Sequence, residues 1–296
     1  MFPAGVNYSE EENTMSKKIT KTLVAAGLVL ATTALTAVAG PLNDRIAAGE
    51  PIRIGFANIP VFGYPDDNGD PKGFANEITL GILNEMGLTD IEAVVTDWGG
   101  LIPGLMANRY DIITGGQYIL GARCENISFS EPIAQTGDSF LVPAGNPLGL
   151  TNYQDILNNP DTMLALYSGA NTVGAARQEG LTDAQLMQLP GPTEVLAALR
   201  AGRADAAALT SFESFYLAAE SDGAFEAQDP SALPDWTLNW VGIGFRDEDV
   251  DFRAEFNEAH ARYMGSDEMM AAMEQYGYVE SNLPGATTTE WACANR

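Results

Sequence analysis

The chain has 296 residues, with 40 Asp and Glu against 15 Lys and Arg, a single His, two Cys and a formal net charge of −25. Such a surface argues against nucleic acid and anionic membrane as partners, and one His with two Cys leaves no basis for a His/Cys metal site. The length is ample for two compact lobes, and no G-x-x-x-x-G-K phosphate loop occurs.

In chain order, Lys17, Lys18 and Lys21 precede an apolar run from Leu23 and then Ala37-Val38-Ala39. This pattern reads as a secretory leader cleaved before Gly40, after an upstream extension. The run is too short and too rich in Ala and Thr for a membrane span. A periplasmic location is expected, and there the two cysteines, Cys124 and Cys293, are expected to form a disulfide.

Beyond the leader, "IRIGFANI" (52–59) reads as a buried strand, and "GFANEITLGILNEMG" as a helix whose apolar stripe closes at Gly87. "IEAVVT" (91–96) is a strand, 99–109 a short helix despite Pro103, and "YDIITGG" (110–116) a further strand. Strand–helix alternation predicts a parallel sheet faced by helices. "DSFLVPAGNPLG" (138–149) reads as a strand leaving this first unit. Residues 162–180 then read as strand, Gly loop and helix. Over 192–210 a helix capped by Thr193, with Glu194 in its first turn, leads into a strand. Residues 236–246 form a strand returning to the first lobe, followed by helices over 250–264 and 266–276.

The expected class is therefore α/β with two lobes: 40–140 plus 241–296 as the first, 141–240 as the second, joined by two crossings. Residues 1–39 are set aside as extension and leader. Ligands of such folds bind in the crevice between the lobes.

"YDIITGGQYILGARCENISFSEP", with "GFANEI", "LIPGLMANRYD", "YSGANT" and "AGRADAAAL" in order, resembles the periplasmic solute-binding proteins of amino-acid-type ABC importers. The similarity spans about residues 50 to 280. "NPLGLTNYQDILNNPD", Arg123–Cys124 and the terminal "TTTEWACANR" most resemble the ectoine- and hydroxyectoine-binding members. The resemblance implies a type II two-lobed fold, a permease and an ATPase as partners, no cofactor and capture rather than catalysis. A monomer is expected.

In this family an Arg at the position of Arg123 grips the ligand's carboxylate, a planar anion suited to a guanidinium fork. Backbone N–H groups of Asn171 and Thr172 would meet the same anion at a helix start. Thr210 stands where an acid is common and Tyr118 where a small hydroxyl residue is common. A primary ammonium is thus expected to lose its charged partner, while Phe62, Tyr64, Trp98 and Tyr118 offer faces to a delocalised or alkyl-shielded cation. A compact zwitterion such as ectoine fits this set; a polar amino acid or a betaine-like or N-methylated acid is the alternative. Ectoine binders carry an acid where this chain has Ile59, so Asn58, Asp66 and Asp67 are the candidates to replace it.

Each residue also has a plain structural role open to it. Trp98 would staple a helix to the sheet, Tyr118 end a strand, Phe62 or Tyr64 sit in a surface loop, and Asn171 and Thr172 act as caps. Thr210 would be a passive wall, Arg123 a surface ion-pair arginine, and Trp236 and Trp240 core. A dehydratase or a sensor input domain are the competing functions. For catalysis, Ser139 in a crossing strand and His260 in an amphipathic helix make no triad with a positioned acid.

Overall fold

The structure is a computed structural model and describes residues 40–296. The expected leader and upstream extension lie outside the described residues.

The chain opens with α1 (Pro41–Ala47) and β1 (Ile52–Phe56), then a small antiparallel hairpin of β2 (Tyr64–Pro65) and β3 (Pro71–Lys72). Helix α2 (Phe74–Glu85) buries Phe74, Ile78, Ile82 and Leu83 on one stripe. It ends where Gly87 takes φ 75, a left-handed turn that glycine adopts without a Cβ penalty. Next come β4 (Ile91–Val95), α3 (Leu101–Met106), β5 (Ile112–Tyr118), α4 (Gly121–Cys124), β6 (Ser128–Phe129) and β7 (Ala134–Thr136).

The second half runs β8 (Asp138–Pro143), α5 (Tyr153–Asn158), β9 (Leu164–Tyr167), α6 (Asn171–Gln178), β10 (Leu186–Leu189) and α7 (Pro192–Arg200). It continues with β11 (Ala206–Thr210), α8 (Ser211–Ala219), β12 (Phe225–Ala227) and β13 (Asn239–Phe245), and ends in α9 (Val250–Tyr263), α10 (Asp267–Met273) and α11 (Thr289–Asn295).

Two sheets result. The first has the order β4-β1-β5-β13-β6, with β7 also on β13; the second is β10-β9-β11-β8-β12. β1 runs parallel to β4 and β5, and β9 parallel to β10 and β11. β8 and β13 enter antiparallel, so the chain leaves the first sheet at Thr136, joins the second at Asp138 and returns through β13.

Two local expectations are corrected. Thr193 is not the cap of α7: Gly191 occupies that place and Pro192 starts the helix, where a missing N–H and a fixed φ cost nothing. β5 runs two residues past Gly116, because Val241 and Gly242 of β13 pair with Tyr118 and Gln117. Gly115 and Gly116, at φ 70 and 89, take the irregular backbone where the register with β13 shifts. This extension puts Tyr118 at the sheet end, where the cleft begins.

Candidate functional site

The site is built from strand ends and the helix starts that follow them. On the first lobe, β5 ends at Tyr118 and α4 follows at once with Arg123. The short helix is held from outside: Cys124 is disulfide-bonded to Cys293 of α11, and the Gly121 N–H donates to the Arg296 carbonyl at 2.8 Å. Trp98 opens a turn of 3₁₀ helix ahead of α3.

Arg123 is 9 % exposed. Its Nη1 donates to the Tyr118 carbonyl at 2.9 Å, and its Nη2 donates across the cleft to the Gly169 carbonyl at 3.1 Å. The Trp98 indole N–H donates to that same carbonyl at 3.1 Å, and the guanidinium lies 5.6 Å from the Trp98 ring centre. Among the described residues no carboxylate pairs with Arg123. Burial without a counter-ion pulls its pKa down to about 10.

On the second lobe, α6 begins at Asn171 after β9, and its first N–H groups, those of Asn171 and Thr172, have no helical acceptor. The Asn171 side-chain amide donates to Asp138 Oδ2 at 2.7 Å. Thr210 caps α8 in a capping box: its hydroxyl accepts from the Glu213 N–H at 3.2 Å and donates to Glu213 Oε2 at 2.7 Å. The box folds the Glu213 carboxylate back toward the strand end. There the Tyr167 hydroxyl donates to Oε2 at 3.4 Å, and the Tyr167 ring meets Trp98 edge-on at 5.7 Å.

Asp138 and Glu213 are both fully buried. Asp138 Oδ1, Glu213 Oε1 and Thr172 Oγ1 have no hydrogen-bond partner. Burial pushes the Asp138 carboxyl up to about 7 against the Asn171 hydrogen bond, and Glu213 pushes it further. Burial likewise lifts Glu213 to about 7 despite the Thr210 hydrogen bonds. Tyr118 and Tyr167 are held well above the usual phenol range, by burial and then by these two acids.

Six of the expected residues therefore come together: Trp98, Tyr118, Arg123, Asn171, Thr172 and Thr210. Tyr64 stands elsewhere, while Phe62 lies against Gly116 of β5 and Phe212 of α8, between the elements that carry Tyr118 and Glu213. Phe62 packs its ring against Phe74 at 4.7 Å and Phe212 at 5.8 Å. Tyr64 lines a separate groove of ≈ 580 Å³ with Phe212, Phe215, Tyr216 and Tyr276.

Of the candidates to replace the acid at Ile59, only Asn58 shares a groove with a residue of this set, Trp98. Asp66 accepts from the N–H groups of Asn68 and Asp70 in its own turn, Asp67 is exposed, and Asn58 lies on a groove at the cleft mouth. Where a cation was expected to find no charged partner, two buried carboxylates, Glu213 and Asp138, stand beside Thr210. "TSFE" (210–213) carries the capping-box pattern that would have placed Glu213 at the strand end. Nothing local marks Asp138 or Tyr167 beyond their position at strand ends.

Ser139 and His260 bond backbone carbonyls: the Ser139 hydroxyl donates to Gln228 at 2.6 Å, and a His260 ring nitrogen lies 3.0 Å from the Pro132 oxygen. The expected core role of Trp240 matches its position, 6 % exposed, with its N–H on the Pro284 carbonyl at 3.1 Å. Trp236 is half-buried against the core of the second lobe.

The site thus holds a buried guanidinium without an acid and two buried acids without a cation. The chain is 33% identical over 280 residues to a probable amino-acid ABC transporter periplasmic-binding protein of Sinorhizobium fredii, covering 92% of each. Its fold is similar to EhuB in complex with hydroxyectoine, with a TM-score of 0.77 and 29% identity over 86% of this chain and 98% of that one. It is also similar to an ancestral amino acid-binding protein, a precursor of cyclohexadienyl dehydratase, with a TM-score of 0.69 and 26% identity over 79% and 97%. Residues 52–279 match the bacterial extracellular solute-binding proteins, family 3, and the chain belongs to that family, as the periplasmic, two-lobed solute-binding subunit of an amino-acid-type ABC importer.

Proposed function

We propose that the cleft captures a small zwitterion, with ectoine or hydroxyectoine the best fit, and hands it to the permease and ATPase of the importer. The observation that carries this reading is the separation of unpaired charge: Arg123 on one wall, Asp138 and Glu213 on the other. The ligand's carboxylate would replace the two carbonyls now bonded to Arg123 and reach the free N–H groups of Asn171 and Thr172. Its cationic ring would lie among Trp98, Tyr118 and Tyr167, with its N–H groups toward Asp138 and Glu213.

The lobes would close about the crossings at Gly137 and ahead of β13, and the contacts made only in the closed form shift the population toward it. We take the protein to act as a monomer after removal of its leader.

A second reading is a polar α-amino acid. The two buried carboxylates favour it, because they restore the partner that a primary ammonium needs.

A thermal-shift panel of ectoine, hydroxyectoine, arginine, glutamine, glycine betaine and trigonelline separates the two. Ectoines alone raising Tm supports the first reading, amino acids alone the second. Arg123→Ala abolishes the shift in either case, because a ligand stabilises only the state that binds it. A persisting shift in that variant removes the basis of both readings. The compound is recovered unchanged after long incubation; its consumption would point to the dehydratase alternative instead.

A further inference from the structure

The cleft carries more negative than positive groups, and the imbalance constrains what enters. Facing Asp138 and Glu213 are Tyr118 from β5, Tyr167 from β9, Tyr153 from α5 and Asn171 from α6. None is cationic. Arg123 from α4 acts on the phenol of Tyr167, and its hydrogen bonds go to carbonyls rather than to either acid. Each acid has one oxygen bonded and one without a donor.

Two like charges buried near one another cannot both stay ionised cheaply. An unpartnered buried acceptor needs a hydrogen donor and gains little from an alkyl surface.

We infer that Asp138 and Glu213 form one cation subsite that retains a proton when the cleft is unliganded, expels it on loading, and admits only cations bearing at least two N–H donors. This rests on the capture of a zwitterion proposed above and narrows its class. The balance is simple: a protonated cleft carboxyl plus the ligand's N–H cation gives a carboxylate–cation pair, and one proton goes to solvent. A cavity of ≈ 430 Å³ lined by Asp138, Asn171 and Arg296 offers the proton a way out. Amidinium, guanidinium and primary ammonium ligands meet the requirement. Quaternary ammonium ligands do not, which removes the betaine alternative.

Calorimetry at pH 7 in phosphate and in Tris, with hydroxyectoine, L-arginine and glycine betaine as probes, tests this. The probe that binds is expected to release roughly half a proton or more, as a group titrating near neutrality requires. Betaine is expected to bind ~100-fold more weakly or not at all, because a site built for donors rejects a ligand lacking them. Glu213→Gln and Asp138→Asn are each expected to reduce the release. Heats independent of buffer, or betaine binding as tightly as the other probes, would overturn the inference.

A ligand-free measurement keeps the outcome separate from the capture reading. In ¹³C spectra of the unliganded protein, a carboxyl resonance assigned through either variant is expected to titrate near neutrality. If both acids titrate in the ordinary carboxylate range, the retained proton is refuted whatever binds. If no probe binds but the resonance titrates near neutrality, the capture reading fails and the proton stands.

Discussion

Two buried clusters of Arg and carboxylate lie in this protein, and they behave in opposite ways. In the first, Asp111 is fully buried and accepts from Arg53 Nε at 3.0 Å and Nη2 at 2.7 Å, and from Arg246 Nη2 at 3.3 Å, with Arg45 Nε at 3.5 Å. Burial alone would raise its pKa, but the Arg53 hydrogen bonds and charge hold it below the usual range. In the cleft the same kinds of group are buried without one another, and every shift runs toward the neutral form. The first cluster pairs its charges within the fold; the second leaves them unpaired, and the proposed function has a ligand complete them.

Asp111→Ala removes the carboxylate that Arg53 and Arg246 share, and although Arg246 keeps Asp249 at 2.8 Å it is expected to cost about 3 kcal/mol in urea unfolding, the lower end of the scale for breaking a buried pair. Arg123→Ala removes a guanidinium that has no acid, so the ligand-free protein is expected to lose no more than about 1–2 kcal/mol. Equal losses in the two variants would erase the distinction.

Replacing both Cys124 and Cys293 by Ser opens a loop with a sequence separation of 169. This is expected to cost about 2–5 kcal/mol, and it frees the helix that carries Arg123, so affinity should fall as well.

The pH response sharpens the contrast. Asp138 and Glu213 have raised folded-state pKa values near 7. Their stabilising contribution is complete below the unfolded values of about 4 and is lost as pH rises through 7. Ligand-free Tm is therefore expected to fall from pH 5 to pH 8, and the fall to flatten in an Asp138→Asn, Glu213→Gln double variant. Asp111, with a lowered pKa, contributes above its unfolded value and loses that contribution only under stronger acid. The smallest effect concerns the cap: Thr210→Val is expected to cost about 1 kcal/mol and to loosen Glu213.

The same division marks what the sequence made legible. The strands and helices of both lobes follow from apolar periodicity, which is a local signal. Arg123, Trp98 and Tyr118 lie beside recognisable turns and a family motif, so one wall of the cleft could be written down beforehand. The other wall could not. Thr210 read as a lost acid because its linear position was compared; the capping box moves the acid three residues along and folds it back. Asp138 gains its role from β8 lying beside β11 (Thr210 pairs with Asp138), which is a long-range contact. The family resemblance and the chemistry of their rings place Phe62 and Tyr64 beside the pocket, and only the surroundings of Tyr64 differ. Phe62 found Phe74 and Phe212, and Tyr64 found a separate groove.

The most direct measurement is a crystal structure with the tightest binder of the panel. The ligand's carboxylate is expected on the Arg123 guanidinium and its N–H groups on Asp138 and Glu213. A ligand seated in the Tyr64 groove, or one bound in the cleft while Arg123 still donates to the Tyr118 and Gly169 carbonyls, would contradict it.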